Sequence, residues 1–215
     1  MSLEVRDVTF AYPGAEPLYR GFTCRIEAGE RVALTARSGT GKTTLCRLMA
    51  GYLHPQAGGV YVDGAPLAAC RAGVPCPVQL VWQHPEQAFD PRQRLGRAIG
   101  EVESSLGDGG AASERRAMLA DALGIREAWA ARLPHELSGG ELMRFCLLRA
   151  LLVRPRYLLA DEATAMLDAV TQAELWGVLL DMQRTEGFGM VVVSHVPDLV
   201  ERVATRVLET GVARA

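Results

Sequence analysis

Lysine is almost missing from this chain: Lys42 is the only one, although lysine and arginine together number 23. Every other residue of this group is an arginine. The single lysine lies in a glycine-rich segment, where a compact ammonium on a flexible stem can reach between the phosphates of a nucleotide. A planar, forked guanidinium does not fit such a cradle. The scarcity of lysine therefore makes Lys42 the first candidate for a phosphate-binding residue.

An excess of charge of either sign is also missing. The 215 residues have a formal net charge of -2, and 49% of them are hydrophobic and 22% charged. Proteins that bind nucleic acid usually present a basic face, so we expect no nucleic-acid partner. The length and the balance of residue types instead predict one or two small globular domains.

Long apolar runs and paired cysteines are absent as well. The sequence has no run of about 18 apolar residues that would span a membrane. Glu4, Arg6 and Asp7 bring charge to the positions where a signal peptide is apolar. The five cysteines are an odd number and form no CxxC pair. We therefore expect reduced thiols and a cytoplasmic chain without a transmembrane segment or signal peptide.

Strand-like and helix-like segments alternate along much of the chain, which favours a mostly parallel sheet in an α/β fold. Residues 84–150 differ, because helix-favouring stretches dominate them, and we predict a helical insert there. The predicted strands are residues 2–12, 23–26, 31–34, 60–62, 78–82, 157–160 and 190–193, and the predicted helices are residues 45–50, 111–123, 141–152 and 171–183.

A phosphate-binding loop is predicted between the strand at 31–34 and the helix at 45–50. Backbone N–H groups of a glycine-rich turn and of a helix N-terminus form an anion site, and Thr43 has the position whose hydroxyl binds Mg²⁺. Ala36 departs from the motif, which begins with glycine, and its methyl group is acceptable only if φ is negative. The predicted nucleotide-binding residues here are Ala36, Arg37, Ser38, Gly39, Thr40, Gly41, Lys42, Thr43 and Thr44.

Two acidic residues, Asp161 and Glu162, follow the apolar segment 157–160. Neighbouring residues of a strand point to opposite sides, so one carboxylate can hold Mg²⁺ while the other faces an attacking water. Phosphoryl transfer depends mostly on positioning and on neutralising charge. We therefore predict that Lys42 and Glu162 are catalytic and that Asp161 is a metal ligand.

Residues Leu137–Glu141 read Leu-Ser-Gly-Gly-Glu and resemble the signature motif of the ATP-binding cassette (ABC) family. The resemblance extends over essentially the whole chain and implies ATP and Mg²⁺ as cofactors. It also implies a single ABC ATPase domain over residues 1–215. In such a domain, a P-loop NTPase (RecA-like) core carries an N-terminal antiparallel β subdomain and a helical insert. The core would comprise residues 1–83 and 151–215, and the helical subdomain residues 84–150.

Four further residues receive a role from this resemblance. Tyr12 is similar to the aromatic residue that stacks on adenine, and Gln83 to the hinge glutamine that contacts Mg²⁺ and water. His195 is similar to the switch histidine that contacts the γ-phosphate. Asp168 is similar to the aspartate of the loop that crosses the dimer interface.

Two positions depart from the family pattern. Ala163 stands where proline is common, and Glu141 stands where glutamine is common. Neither change removes a catalytic group, so we expect a working ATPase.

The resemblance further implies that two cassettes pair head to tail, as a homodimer or a heterodimer. One cassette would grip ATP, and the signature residues Ser138, Gly139 and Gly140 of the other would close over the γ-phosphate. ATP would join the two cassettes and hydrolysis would release them. The catalytic residues implied are Lys42, Gln83, Glu162 and His195, and the metal ligands are Thr43, Gln83 and Asp161.

Transport by such a cassette needs separate membrane subunits, which the family binds in a groove lined here by residues 84–100. The segment around Asp90-Pro91-Arg92 is similar to that region in the peptide and nickel importers. This likeness implies import of peptides, nickel or a metal chelate with two permease subunits and a substrate-binding protein. It also implies a peripheral location at the cytoplasmic face of the cell membrane.

Two other functions stay open. A soluble ABC ATPase of DNA repair, chromosome maintenance or translation usually has coiled-coil arms, zinc modules or tandem cassettes, and the sequence shows none of them. A nucleotide-gated binding module with little turnover is supported only by Ala36, and an ATPase assay would distinguish it. A small-molecule kinase would lack Leu137–Glu141 and His195.

Overall fold

The computed structural model describes residues 1–36, 39–67, 74–107 and 110–210 of the chain. These residues form nine strands and six α-helices, with three short 3-10 helices at Pro85–Ala88, Glu127–Ala131 and Pro134–Glu136. In chain order the strands and α-helices are β1 (Ser2–Phe10), β2 (Tyr19–Glu27), β3 (Arg31–Thr35), α1 (Lys42–Met49), β4 (Ala57–Val62), β5 (Ala65–Pro66), β6 (Val78–Val81), α2 (Leu95–Leu106), α3 (Gly110–Ala122), α4 (Gly139–Leu152), β7 (Tyr157–Asp161), α5 (Ala169–Glu186), β8 (Gly189–Val193), α6 (Pro197–Val203) and β9 (Arg206–Glu209).

The N-terminal sheet is antiparallel and has the strand order β2-β1-β4-β5. Leu3 of β1 pairs with Ile26 of β2 and with Val62 of β4, which places three apolar side chains on the same face. Between β4 and β5 the chain turns at Asp63 and Gly64, and both residues have positive φ, as tight hairpin turns with the sequence Asp-Gly require. The two N-terminal strands agree with the sequence-based prediction.

The second sheet is parallel and has the strand order β6-β7-β8-β3-β9. Every residue of β7 and β8 is buried, which is typical of parallel strands covered on both faces. All five strands run in one direction, so their carboxyl ends lie along one edge of the sheet. The glycine-rich loop follows β3 at this edge, Asp161 ends β7, and His195 follows β8.

Helices dominate the described residues between β6 and β7, which include α2, α3, α4 and the three 3-10 helices. The predictions for residues 111–123 and 141–152 match α3 and α4 to within two residues. The sequence does not single out α2, α6 or β9. The division of the chain at residues 83/84 and 150/151 stays a prediction.

Two hydrophobic clusters cover the two faces of the parallel sheet. One lies between this sheet, the antiparallel sheet and α1, and the other between the opposite face and the helices from α2 to α6. Alternate residues of β7 pack into the two clusters. Leu158 belongs to the cluster beneath the helices, and Leu159 belongs to the cluster beneath the antiparallel sheet. This double burial fixes the strand ends that carry the predicted site. Among the residues described, no helix combines the length and the apolar character that crossing a membrane requires.

Candidate nucleotide-binding site

The loop between β3 and α1 contains two glycines that the backbone geometry requires. Gly39 has φ 78° and Gly41 has φ 92°, a conformation that residues with a side chain rarely adopt. A Cβ atom on Gly41 would also lie 2.5 Å from Cδ2 of Leu18. The loop can therefore approach its neighbours closely only with glycine at position 41.

The lone lysine contacts the first residue of the loop. The Lys42 ammonium donates a hydrogen bond to the carbonyl oxygen of Ala36 at 3.0 Å. Ala36 is not among the residues with positive φ, so its methyl group meets the condition set by the sequence motif. Thr40 lies between the two glycines, whereas Arg37 and Ser38 lie outside the described residues.

Two tyrosines hold the loop and the helix that follows it. Tyr19 is buried and donates a hydrogen bond from its hydroxyl to the carbonyl oxygen of Gly41 at 2.9 Å, and no sequence motif points to this residue. The hydroxyl oxygens of Tyr12 and Thr44 are 3.1 Å apart, and the Tyr12 ring meets Phe10 edge-on at 5.0 Å. Tyr12 is 40% exposed beside the loop, so its ring has open surface where the sequence predicts contact with adenine.

Asp161 and Thr43 form a pair suited to a divalent cation. Asp161 is only 3% exposed, and the Thr43 side chain lies next to its carboxyl group. Its Oδ1 atom is buried without a hydrogen-bond partner among the described residues, which is rare for a buried polar atom. Burial raises the pKa of Asp161, and the neighbouring Thr43 side chain opposes this shift. Carboxylate and hydroxyl oxygens are the ligands that Mg²⁺ prefers. The unpartnered Oδ1 atom of Asp161 is therefore suited to bind such an ion.

Glu162 contacts both Gln83 and His195 and forms one polar group with them. Nε2 of His195 lies 3.0 Å from Oε1 of Glu162, and the Gln83 amide donates to Oε2 at 3.1 Å. The three residues follow the neighbouring strands β6, β7 and β8, so the shared carboxyl edge of the sheet brings them together. The Glu162 side chain is 20% exposed and the His195 side chain 52%, so the group is open to solvent.

Glu162 leaves β7 in a left-handed conformation, with φ 51°. For a residue with a side chain this conformation costs about 1 to 2 kcal/mol. The Glu162 amide donates to the carbonyl oxygen of Val193 at 3.1 Å and anchors the turn. Asp161 contacts Thr43 whereas Glu162 contacts Gln83, so the two carboxylates diverge as predicted. The predicted reason, alternation along a strand, is wrong, because Glu162 lies beyond the strand and the backbone turn separates them.

The signature segment begins α4 and satisfies its own hydrogen bonds. The Ser138 hydroxyl accepts from the Glu141 amide at 3.3 Å, and the Glu141 carboxylate accepts from the amide and the hydroxyl of Ser138 at 2.8 and 3.0 Å. This is a capping box, and its backbone hydrogen bond lowers the pKa of Glu141. Ser138 and Gly139 are exposed, so the N-terminus of α4 faces solvent.

Asp168 caps α5 in the same local way. Its Oδ1 accepts from the amides of Val170 and Thr171 at 3.1 and 3.0 Å, and its Oδ2 accepts from the Thr171 hydroxyl at 2.7 Å. The hydrogen bond from the Thr171 amide is the main reason that the pKa of Asp168 is lowered. A Cβ on Gly140 would lie 3.2 Å from Cγ2 of Thr171, so α5 begins against the signature helix.

The structure thus places the predicted residues in two groups. The phosphate loop, the Asp161–Thr43 pair and the group formed by Gln83, Glu162 and His195 share the carboxyl edge of the parallel sheet. The signature residues and Asp168 form the second group and are connected through Thr171. The first group combines a glycine-rich loop with two carboxylates, whereas the second presents a capped helix N-terminus.

Comparison with known proteins decides between the families that share such a loop. The sequence model of a family described as ABC transporter matches residues 19–165, which is more than half of the chain. This chain belongs to the ABC transporter family. The match includes the glycine-rich loop, the signature segment and the acidic pair, and the predicted family and α/β cassette fold are confirmed.

Individual relatives of this ABC transporter chain support the family assignment. The nickel import ATP-binding protein NikE of Rhodospirillum rubrum is 41% identical over 197 residues, which cover 86% of this chain and 69% of that protein. The glutathione import ATP-binding protein GsiA of Salmonella paratyphi A is 34% identical over 221 residues, 95% of this chain. The chain spans only 36% of the length of that relative.

Solved structures show the same fold. The dimeric structure of a bacterial ABC transporter cassette has a TM-score of 0.81 and 25% identity, and the match covers 99% of this chain and 97% of that one. The ATP-binding subunit of an ABC transporter has a TM-score of 0.86 at 22% identity, over 100% of this chain and 88% of that one.

Proposed function

We propose that this chain is the ATP-binding and ATP-hydrolysing subunit of an ABC importer. One observation carries the proposal: Gln83 and His195 hold the Glu162 carboxylate at the sheet edge that also bears the phosphate loop. The two relatives support it, because both are named as import ATP-binding proteins.

The residues of this edge divide the chemistry of ATP hydrolysis between them. The N–H groups of the glycine-rich loop orient the phosphates, and Lys42 neutralises their charge. Glu162 acts as general base and accepts a proton from the attacking water. Gln83 orients that water, and His195 donates a hydrogen bond to the γ-phosphate. Both side chains contact Glu162, so the carboxylate is oriented before the substrate binds.

Thr43, Gln83 and Asp161 would hold Mg²⁺ in this site. When bound, the ion supplies positive charge next to the phosphates. Asp161 contributes the buried Oδ1 atom that has no partner among the described residues, and Thr43 contributes its hydroxyl. Tyr12 offers its exposed ring to adenine.

A second cassette completes the site. Ser138, Gly139 and Gly140 stand at a helix N-terminus, where an anion is stabilised, and they lie outside the catalytic group of their own chain. We place them over the γ-phosphate of ATP bound to the partner cassette, with Asp168 at the interface. One solved neighbour is itself described as dimeric. A homodimer and a heterodimer both satisfy this arrangement.

The membrane subunits would bind a groove next to Gln83. A cavity of about 240 Å³ there is lined by Tyr52, Trp82, Ala88 and Arg149, among others. Tyr52 is 61% exposed, and its ring contacts the Trp82 ring at 5.2 Å. Because Trp82 directly precedes Gln83, a permease segment seated in the groove would contact residues next to the water-orienting glutamine. Residues 84–150 would move as one helical subdomain against the core.

This assignment places the chain at the cytoplasmic face of a membrane, with two permease subunits and a substrate-binding protein. The proposed cargo is nickel, a metal chelate or a peptide. The names of the two relatives, nickel import and glutathione import, and the segment around Asp90-Pro91-Arg92 support this class.

The test is Mg²⁺-dependent ATP hydrolysis by the purified chain over a range of protein concentrations. We expect turnover that rises faster than linearly with concentration, because two cassettes form each site. Glu162→Gln should lower turnover about 10² to 10⁴-fold and still bind ATP, since it removes only the general base. Glu201→Gln, at an exposed position on α6, is the matched control and should leave turnover unchanged.

Two outcomes would contradict the assignment. Hydrolysis by Glu162→Gln at the parent rate would exclude Glu162 as the base. ATP binding without turnover, at every protein concentration and with the permease subunits present, would favour a nucleotide-gated binding module.

A further inference from the structure

A buried hydrogen-bonded cluster lies next to the turn that follows Asp161. The Thr164 hydroxyl accepts a hydrogen bond from Nε1 of Trp176 at 3.0 Å and another from the side-chain amide of Gln172 at 2.9 Å. Thr164 is 3% exposed and Trp176 is 4% exposed, so solvent does not compete for the hydrogen bond between them. The function proposed above assigns no role to these three residues.

Both donors come from one face of α5. Gln172 and Trp176 are four residues apart, which places their side chains on the same side of the helix. The Gln172 amide also donates to the carbonyl oxygen of Thr164 at 3.4 Å. Leu175 and Leu179 of the same helix are buried in the hydrophobic cluster beneath the helices, so the position of α5 is fixed by the core. The helix therefore offers Thr164 a firm attachment.

Glu162 and Thr164 belong to the same tight turn. The Ala165 amide donates to the carbonyl oxygen of Glu162 at 3.0 Å, which closes a four-residue turn with Thr164 as its third residue. Glu162 has φ 51°, and a residue with a side chain keeps this unfavourable conformation only where the surrounding contacts impose it. A displacement of Thr164 would therefore rotate the backbone that directs the Glu162 carboxylate.

Close packing alone does not fix this turn. A cavity of about 120 Å³ borders it, and the residues that line the cavity include Glu162, Thr164, Trp176 and His195. The cavity is larger than a single water molecule needs. Because the turn has space on this side, directional hydrogen bonds have to set its position.

We propose that Gln172 and Trp176 are positioning residues for ATP hydrolysis, because their hydrogen bonds to Thr164 hold the turn that directs the Glu162 carboxylate toward the attacking water. This role rests on the function proposed above, in which Glu162 is the general base. A misplacement of about 1 Å can lower the rate of a reaction about 10²-fold. The hydrogen bonds described for this cluster do not extend to the phosphate loop, so ATP binding should not depend on them.

The test compares two substitutions of Thr164 in the purified full chain. Thr164→Val removes the acceptor with little change of shape, and Thr164→Ser keeps the hydroxyl. At protein concentrations that support dimerisation, we expect Thr164→Val to lower kcat about tenfold at an unchanged KM for ATP, whereas Thr164→Ser should stay within about twofold of the parent.

A donor variant and a matched control complete this series. Trp176→Phe removes one of the two donors and keeps an aromatic ring, so it should lower kcat about threefold. Thr185→Val makes the same change as Thr164→Val at an exposed position of α5, where the Thr185 hydroxyl donates to the carbonyl oxygen of Asp181 at 2.8 Å. This control should keep the kcat of the parent.

The Glu162→Gln background separates positioning from a general loss of structure. A positioning effect acts through the Glu162 carboxylate, so Thr164→Val should leave the residual single-turnover rate of Glu162→Gln unchanged. A variant that only lowers the folded fraction would reduce the rate by the same factor in both backgrounds. Single-turnover hydrolysis of radiolabelled ATP measures these low rates.

Three results would overturn the positioning role alone: an equal loss in the two backgrounds, a parent kcat in Thr164→Val, or an effect confined to KM. Each of them requires an active parent and therefore leaves the ATPase assignment in place. An inactive parent, at every protein concentration and with the permease subunits present, would instead contradict the proposed function and the positioning role with it.

Discussion

The carboxyl edge of the parallel sheet and the N-terminus of α4 bear the two halves of the proposed ATP site, and different contacts stabilise them. At the sheet edge, which joins three neighbouring strands, Gln83 hydrogen-bonds to Glu162 and His195 lies within 3.0 Å of the same carboxylate. At α4, Ser138 and Glu141 hydrogen-bond to each other within one helical turn. The first half depends on the whole core, whereas the second depends on local capping. A locally capped helix end is stable without a ligand, so it can receive the phosphate held by another chain.

The largest expected effect tests whether the two halves act in different chains. Glu162→Gln should lower hydrolysis about 10² to 10⁴-fold, and Ser138→Arg should also lower it strongly, because each disables a different half of the site. An equal mixture should regain up to about a quarter of the parent ATPase rate, because half of randomly paired dimers are mixed and each mixed dimer has one intact site. The rate is measured at protein concentrations that support dimerisation. Each variant alone is the control, and absence of recovery would exclude a self-pairing cassette.

The next effect concerns the loop at the sheet edge. Gly41→Ala should destabilise the protein by about 1 to 3 kcal/mol, because Gly41 has φ 92° and its Cβ would lie 2.5 Å from Leu18. ATP binding should weaken with it. Gly100→Ala is the control: Gly100 lies in α2 with open space around its Cβ, and the change should stabilise by about 0.5 to 1 kcal/mol. Denaturant unfolding measures both, and equal shifts would contradict a geometric requirement at Gly41.

A substitution next to this loop is expected to change the free energy of unfolding by a smaller amount and in the opposite direction. Asp161→Asn should raise the free energy of unfolding by about 1 kcal/mol without Mg²⁺, because it removes a buried carboxylate with an unpartnered oxygen. The same variant should lose the extra stability that Mg²⁺ adds to the ADP complex. Melting with chelator and with Mg²⁺ measures both quantities. A lower stability in chelator would show that the carboxylate has a partner in the folded protein.

The smallest effect is expected at the locally capped half. Glu141→Gln should change stability by less than about 1 kcal/mol at neutral pH, because the capping box is exposed to solvent. The pKa of Glu141 is lowered in the folded protein, so the stabilisation by its carboxylate is present above the ordinary carboxyl pKa of 4.5 and is lost as pH falls below it. The difference between parent and variant should therefore shrink below pH 4.5. A difference that grows on acidification would contradict the capping role.

The features that could be predicted from the sequence are those contained in a few consecutive residues. Lys42 within its glycine-rich loop, the signature segment and the acidic pair at Asp161 are such motifs. The start of α4 was predicted closely, because its capping residue and the signature coincide. By contrast, β9 was not predicted, because its residues are mostly exposed and give no apolar run.

Other features could not be predicted because they depend on distant contacts. The hydrogen bond from Tyr19 to the Gly41 carbonyl joins β2 to the phosphate loop, 22 residues away. The left-handed turn at Glu162 is supported by Val193 of the neighbouring strand. Neither contact is indicated by a pattern in the neighbouring sequence.

The sequence by itself determined the family, the phosphate-binding loop and the chemical type of each site residue, because these depend on neighbouring residues and their side chains. Only the tertiary structure decided that Gln83, 79 residues before Glu162, donates to its carboxylate. The physical reason is that strand order and burial on both faces of the sheet set these distances, and no local pattern specifies that order.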